Sequence, residues 1–219
     1  MASVTVPVEH GSGEPGLGDL STIDHGHETN TGISNTKLAM WLFLGSECLL
    51  FGGLITTYLI YKTPLPGQLG PQDGLFDIPF TSVSSFVLLM SSLTMVLSHS
   101  ALEKGDYYRC RVWLGATALL GSLFISGQIY EFTAFVREGL GFTSSRFSSA
   151  FYVLTGFHGV HVTVGIIMLI STLLLSVRGK LPKEKAETLE IVGLYWHFVD
   201  VVWVIIFVVI YLIPEGVPA

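Results

Sequence analysis

One stretch of the sequence decides the fold: residues 149–177 read SAFYVLTGFHGVHVTVGIIMLISTLLLSV. This stretch contains no Asp, Glu, Lys or Arg, and it is longer than the roughly 20 apolar residues that an α-helix needs to cross a bilayer. Four further apolar runs of sufficient length lie at residues 37–61, 82–102, 112–136 and 191–213. The sequence therefore predicts an all-α membrane protein, a bundle of five transmembrane helices.

The composition of the whole chain agrees with a membrane protein. Of 219 residues, 50% are hydrophobic and 13% are charged, whereas a soluble domain carries about a quarter charged residues. The net charge of −6 gives no basic footprint for nucleic acid, so we expect no nucleic-acid partner. A water-soluble fold and a nucleic-acid-binding function are both excluded.

Three parts are predicted along the chain. Residues 1–36 are acidic and rich in Gly, Ser and Thr, which is typical of a flexible tail. His25 and His27 fall in this tail, where no preorganised metal site is expected. Residues 37–213 form the five-helix domain, and residues 214–219 form a short C-terminal tail. All nine prolines lie outside the apolar runs, so continuous helices are expected, and short charged links make consecutive helices antiparallel neighbours.

The orientation of the bundle is predicted from the basic residues. Eight Lys and Arg residues lie on the side of the N-terminus and three on the opposite side. The eight are Lys37, Lys104, Arg109, Arg111, Arg178, Lys180, Lys183 and Lys185, and the three are Lys62, Arg137 and Arg146. Because positive residues are retained in the cytoplasm during insertion, we expect a cytoplasmic N-terminus and an outside C-terminus.

Glu47 is the most unusual residue of the first predicted helix. It lies ten residues beyond Lys37, which is about 15 Å of helix and near the middle of the bilayer. An ionised carboxylate is costly there, so Glu47 must be protonated or meet a polar partner. Two roles stay open: a protonated carboxyl that hydrogen-bonds between helices, and direct participation in proton movement. Gly45 and Gly52 indicate close helix packing along the same helix.

The fourth and fifth predicted helices also carry polar residues. His158 and His161 are spaced i and i+3 beside Gly156, Gly159 and Gly165. The histidines are interpreted as hydrogen-bonding residues at a tight helix crossing, with haem or metal ligation as the alternative. In the fifth helix, His197 and Asp200 are three residues apart and are predicted to form a hydrogen bond.

Three further polar residues complete the intramembrane set. Gln128 and Glu131 lie one turn apart in the third helix, and His99 lies near the end of the second. Each is expected to cap or bridge helices. A carboxylate behind a metal-bound imidazole is the alternative reading of Asp200, but no set of three or four ligands at convincing spacing accompanies it, so no metal site is predicted.

Three segments together resemble subunit III of the haem–copper respiratory oxidases, most closely of cytochrome c oxidase. They are WLFLGSE (41–47), FYVLTGFHGVHVTVG (151–165) and YWHFVDVVW (195–203). Many family members have seven helices, and this chain resembles the five-helix form that begins at the family's third helix. A neighbouring subunit or a fused helix pair would then supply the missing wall of the family's lipid-filled cleft.

The resemblance implies an accessory subunit that carries no catalytic residue and binds no cofactor of its own. Haem and copper belong to subunits I and II, and phospholipid is expected as a structural ligand. The resemblance also implies support of proton uptake, contact with subunit I, subunit II and other chains, and a place in a bacterial-type cytoplasmic membrane. Glu47 matches the family's buried helix carboxylate, and Arg178 matches a basic position suited to lipid phosphate. The residues that match its intramembrane polar positions are Glu131, His158, His161, His197 and Asp200.

Other functions remain as alternatives. A quinol oxidase has a similar five-helix subunit, and the electron donor is not fixed by this chain. A small proton-coupled transporter would also use intramembrane carboxylates, but such folds commonly have broken helices near the midplane. A small membrane cytochrome would use histidines as axial ligands. For the subunit III reading, we expect the first and third helices to face subunit I, because Glu47 and Glu131 need shielding from hydrocarbon.

Overall fold

A computed structural model of the chain describes residues 34–62, 65, 67 and 76–213. These residues form helices and turns, with no strand among them. The five long helices are α1 (Asn35–Tyr61), α2 (Ile78–Glu103), α3 (Tyr107–Arg137), α4 (Arg146–Val177) and α5 (Ala186–Phe207). A 3-10 helix (Lys183–Lys185) precedes α5, and a π-helical turn (Val208–Leu212) continues it. All five are long and apolar enough to span a membrane, which confirms the predicted all-α bundle.

Parts of the chain outside the described residues carry several of the sequence predictions. These are the tail up to residue 33, with His25 and His27, most of the connection between α1 and α2, and residues 214–219. The last two residues of the predicted tail, Asn35 and Thr36, already belong to α1, whose N-cap is Ser34. The Ser34 hydroxyl accepts a hydrogen bond from the backbone N–H of Lys37.

Four helices, α2 to α5, begin several residues before their apolar runs, and three of them have a side-chain cap. The side chains of Asp77 and Asp106 accept backbone N–H groups at the starts of α2 and α3, and Ser145 forms a capping box at the start of α4. Capping satisfies the free N–H groups of a first turn, so polar residues at the membrane edge stay helical. Pro79 precedes the apolar run of α2 but belongs to the helix, because it occupies the first turn, where a missing N–H costs nothing.

The links between α2, α3 and α4 are tight, as predicted. Gly105 (φ 77°) and Gly139 (φ 95°) follow the ends of α2 and α3 in the left-handed region that favours glycine. Consecutive helices from α2 to α5 therefore pack side by side. The exception is α1, which packs mainly against α4 and α5 instead of its sequence neighbour α2.

α5 is the centre of the bundle and α1 is its periphery. Half of the apolar span of α5 is buried, against 11% of that of α1. Trp196 and Trp203 of α5 are fully buried. Their indole N–H groups donate to Ser91 Oγ at 3.0 Å and Ser85 Oγ at 2.9 Å, both on α2. The two tryptophans thus satisfy their polar atoms inside the bundle while their rings fill its core.

Candidate functional site

Glu47 and His161 meet between α1 and α4. Each lies at the middle of its helix, and Nε2 of His161 is 3.1 Å from Oε2 of Glu47. Both side chains are largely shielded, with 14% of Glu47 and 16% of His161 exposed. The structure therefore gives the buried carboxyl the polar partner that its depth requires, and that partner is an imidazole from a helix far away in the sequence.

The second ring nitrogen of His161 determines how protons are arranged in this pair. Nδ1 lies 2.8 Å from the carbonyl oxygen of Phe157, and a carbonyl only accepts, so Nδ1 carries a proton. The bond between Nε2 and Glu47 then needs one further proton. Either Glu47 holds it as a carboxylic acid, or His161 holds it as an imidazolium facing a carboxylate. The pair is neutral in both forms, which is the state that a bilayer centre tolerates.

His158 is placed differently from His161, although it lies one turn away. It is buried, and neither of its ring nitrogens has a hydrogen-bond partner among the described residues. Its ring stacks on Trp203 at 5.0 Å and faces the edge of Phe124 at 6.2 Å between centroids. The prediction that His158 hydrogen-bonds a neighbour is wrong, because aromatic rings from α3 and α5 surround it.

The glycines beside these histidines have separate roles. A Cβ on Gly165 would be 2.8 Å from the Trp196 ring, so this glycine permits the tight crossing of α4 and α5. A Cβ added at Gly156 or Gly159 would meet no atom within 4 Å, and the same is true of Gly45 and Gly52 on α1. The predicted close packing at these four positions is therefore not made within the described part of the chain.

Glu131 is enclosed by its own chain. It is 3% exposed, and the hydroxyl of Thr81 on α2 donates to Oε1. Gln128 Nε2 donates to Oε2 at 3.2 Å, and the Tyr211 hydroxyl donates to Oε1 at 3.4 Å. The expectation that Glu131 needs a partner subunit for shielding is wrong, because α2, α3 and the π-helical turn already surround it. Its predicted role as a bridge between helices agrees with these contacts.

His197 and Asp200 share a neighbour on another helix. Nδ1 of His197 lies 2.6 Å from the hydroxyl oxygen of Ser92 on α2, and the Ser92 side chain also lies beside the carboxyl group of Asp200. The predicted direct bond between His197 and Asp200 is wrong: no such bond occurs in the described residues. Oδ1 of Asp200 is buried and has no hydrogen-bond partner among them.

The two remaining predicted residues lie near the end of the bundle that holds Lys37, which we call the Lys37 end. His99 Nδ1 is 3.9 Å from the Glu103 carboxylate one turn along α2. Arg178 is the exposed C-cap residue of α4. Its backbone N–H bonds to the carbonyl of Leu174, so its guanidinium is not needed to end the helix.

The hydroxyl partners on α2 were missed by reasoning from the sequence. The buried side chains of this helix recur every three or four residues, in the order Thr81, Ser85, Leu88, Ser91, Met95, Ser98 and Leu102. Several are hydroxyl residues, and a stripe of buried hydroxyls in a membrane helix indicates hydrogen bonds to neighbouring helices. This periodicity is visible in the sequence, and it indicates that α2 is the partner of the polar groups on α3 and α5.

The described residues contain no group of three or more His, Cys, Asp or Glu side chains placed to hold a metal ion. The polar residues are instead distributed among separate contacts: Glu47 with His161, Glu131 with Thr81, and His197 with Ser92. Such contacts suit hydrogen bonding and proton sharing inside a membrane.

Comparison with known proteins identifies the family. The sequence model of the family described as "Cytochrome c oxidase subunit III" matches residues 19–214. The chain is 42% identical to "Cytochrome c oxidase subunit 3" of Bacillus sp. (strain PS3) over 81% of this chain and 86% of that protein. It is 38% identical to the protein of that name from Synechocystis sp., over 86% of this chain and 79% of the relative.

Quinol oxidase subunits are similar to this chain as well. "Quinol oxidase subunit 3" of Bacillus subtilis is 38% identical over 87% of this chain and 92% of that protein. The three quoted sequence segments fall within the matched residues, and the matches confirm the resemblance that those segments carry.

Proposed function

The chain belongs to the cytochrome c oxidase subunit III family, and from this membership we propose that it is the accessory, non-redox subunit III of an aerobic cytochrome c oxidase. Family members are subunits of a multi-subunit oxidoreductase complex. The five apolar helices and the bacterial relatives make the chain a multi-pass integral protein of a bacterial membrane. The oxidase reduces oxygen to water, and this chain stabilises subunit I, binds lipid and supports proton uptake.

The observation that carries the proposal is the contact between Glu47 and His161. Two titratable groups share one proton at the middle of the bundle, and neither is near a set of metal ligands in the described residues. Such a pair supports proton movement or lipid order and has no means of reducing oxygen. As the resemblance of the sequence implies, haem and copper would lie in subunits I and II.

α1 is the helix that would face subunit I. Its apolar span is 11% buried, and a Cβ added at Gly45 or Gly52 would meet no described atom within 4 Å. A surface of this kind lets another helix approach closely. The third helix was expected to face the same partner in order to shield Glu131 from hydrocarbon. Glu131 is already shielded within the described residues.

The lipid and orientation parts of the proposal rest on the basic residues. Arg178 is exposed at the Lys37 end, and its guanidinium would bind a phospholipid phosphate with two parallel hydrogen bonds. The excess of Lys and Arg on that side favours an N-terminus in the cytoplasm. Arg178 would then hold a lipid of the inner leaflet.

A quinol oxidase is the second candidate. Identity does not separate the two, since the cytochrome c oxidase and quinol oxidase subunits 3 of Bacillus subtilis are both 38% identical to this chain. Electron donors bind subunit II in this reading, so the donor is decided by another chain. A proton-coupled transporter is disfavoured, because the irregular turns among the described helices, Lys183–Lys185 and Val208–Leu212, lie at the two ends of α5 and not at the midplane.

The proposal is tested by affinity purification of the full chain in mild detergent. We expect haem-containing oxidase subunits to co-purify and to give a haem absorption spectrum. Recovery of the chain without a haem-containing subunit would overturn the assignment. Oxygen consumption by the purified complex with reduced cytochrome c, compared with a quinol, then identifies the electron donor.

A further inference from the structure

A groove with a volume of about 150 Å³ lies between α2 and α5. Polar side chains along it include His99, Glu190 and His197, and Gly193 forms part of its wall. His99 lies one turn before the end of α2, and Glu190 lies one turn after the start of α5. The groove therefore starts at the Lys37 end. His197 lies seven residues beyond Glu190, about 10 Å deeper along the helix.

A row of polar side chains continues from the deep end of this groove. His197 lines the groove and bonds through Nδ1 to the hydroxyl of Ser92, and the Ser92 side chain lies beside the carboxyl group of Asp200. Asp200 is 5% exposed and lies at the middle of the span Ala186–Leu212. Imidazole and hydroxyl groups both donate and accept hydrogen bonds, so protons are able to pass along these side chains in either direction.

Asp200 is suited to hold a proton at the deep end of this row of side chains. No Lys, Arg or His side chain forms an ion pair with it in the described residues. Its Oδ1 atom is buried and has no hydrogen-bond partner in the part of the protein that the structure describes. An ionised carboxylate is costly in such a place, so the neutral acid is the stable resting form.

We propose that the groove, His197 and Ser92 form a proton-exchange path that connects the aqueous phase at the Lys37 end with the carboxyl group of Asp200. In the outward direction, Asp200 gives its proton to Ser92 Oγ while the Ser92 hydroxyl proton passes to Nδ1 of His197. Nε2 of His197 then releases a proton to water in the groove. The reverse sequence returns one proton from water to Asp200, so charge and atoms balance over the cycle.

The charged groups at the mouth of the groove suit such an exchange. His99 and Glu103 come from α2, and Lys37 of α1 pairs with Glu190 of α5 at 2.8 Å. Glu187 of α5 accepts a hydrogen bond from Ser34. Carboxylates and an imidazole at the mouth of the groove bind water through hydrogen bonds. The inference deepens the proposed function, since it names a proton site on this subunit.

The test is hydrogen–deuterium exchange of the Asp200 carboxyl, followed by infrared spectroscopy after transfer of the purified full chain and its accompanying subunits into D2O. Asp200→Asn identifies the carboxylic acid band of Asp200 by its loss. Glu131→Gln identifies the band of Glu131, a buried acid that does not line the groove and serves as the internal reference. We expect the Asp200 band to shift on exchange in the wild type.

Two variants interrupt the path in different ways. His197→Asn keeps a group that bonds Ser92 but removes Nε2, and Ser92→Ala removes the relay hydroxyl. Both should slow exchange of the Asp200 band by about tenfold or more, while the Glu131 band exchanges at its wild-type rate. Ser92→Thr keeps the hydroxyl and should restore fast exchange.

Three results would overturn the path: no protonated Asp200 band, no exchange of that band in the wild type, or equal rates in the wild type and His197→Asn. If Ser92→Ala fails to fold, His197→Asn and Ser92→Thr still decide the question. Co-purification with haem subunits is scored separately, so failure of the proposed function and failure of the path are distinguishable.

Discussion

The indole of Trp196 on α5 lies directly against Gly165 of α4, so closely that a Cβ at residue 165 would be 2.8 Å from the ring. Gly121 of α3 contacts the same ring from another helix, with a Cβ position 2.5 Å away. The indole N–H donates to Ser91 of α2. One side chain of α5 therefore contacts three other helices, and its two glycine neighbours determine how closely they approach.

Gly165→Ala is expected to destabilise the bundle by about 1–3 kcal/mol, because the new methyl group overlaps a ring that has no room to move. The loss of stability is measured by thermal unfolding in detergent, which is monitored through the reactivity of the buried Cys110 thiol. Gly159→Ala is the matched control on the same helix, since a Cβ there meets no atom within 4 Å. Equal melting temperatures for the two variants would contradict the close approach at Gly165.

Glu47→Gln is expected to leave assembly and the haem spectrum of the complex intact. The Gln amide donates to Nε2 of His161, so the contact between α1 and α4 is kept while the shared proton is lost. Initial turnover should be largely retained, and the changes should appear in proton coupling and sustained activity. Total loss of oxygen reduction in a fully assembled Glu47→Gln complex would argue against an accessory role.

His161→Leu separates pairing from titration at the same contact. It leaves Glu47 without its hydrogen-bond partner inside the bundle, so the yield of assembled complex should fall below that of Glu47→Gln. Interhelical hydrogen bonds in membranes contribute about 0.6–1.7 kcal/mol. Equal yields for the two variants would show that the pair adds nothing to helix association.

Thr81→Val should destabilise the bundle by about 1 kcal/mol, because it removes a hydroxyl that donates to buried Glu131. Tyr211→Phe should cost less, since the hydroxyl of Tyr211 lies 3.4 Å from the same oxygen, beyond the usual hydrogen-bond length. Both exchanges nearly conserve side-chain shape. Unfolding of the two variants under the same conditions gives the ranking, and the reverse order would refute it.

Arg178→Gln should reduce the amount of anionic phospholipid that remains bound after purification, without changing the melting temperature, because the exposed side chain takes no part in the helix cap. Lipid is measured by mass spectrometry of the purified complex. Arg146→Gln at the opposite end of α4 is the control. Equal lipid content in wild type and Arg178→Gln would exclude Arg178 as a headgroup site.

Helix number and type could be predicted from the sequence because the bilayer imposes one requirement on every span: about 20 apolar residues with few charges. The helix starts were less predictable. Asp77, Asp106 and Ser145 are polar residues that begin helices by capping, and an apolar run does not include them.

The sequence predicts a polar contact only where the depth of a charged side chain in the bilayer requires one. Glu47 needs a partner at the bilayer centre, and the sequence shows this, but the identity of that partner depends on which face of α4 turns toward α1. His158 and His161 differ by one turn, and one packs among aromatic rings while the other meets Glu47. The same geometry places Ser92 of α2 beside His197 and Asp200, a relation between helices that spacing within α5 does not contain.

The position of α1 has a consequence for how the protein is made. Ribosomes synthesise chains from the N-terminus, so α1 enters the membrane before α4 and α5, which are its packing partners. The imidazole that bonds Glu47 belongs to a residue that is synthesised 114 positions later. Until α4 is inserted, the carboxyl of Glu47 must be neutral or be sheltered by the insertion machinery. Closure of α1 onto the bundle is therefore a late step of biogenesis, and it follows synthesis of the fourth helix.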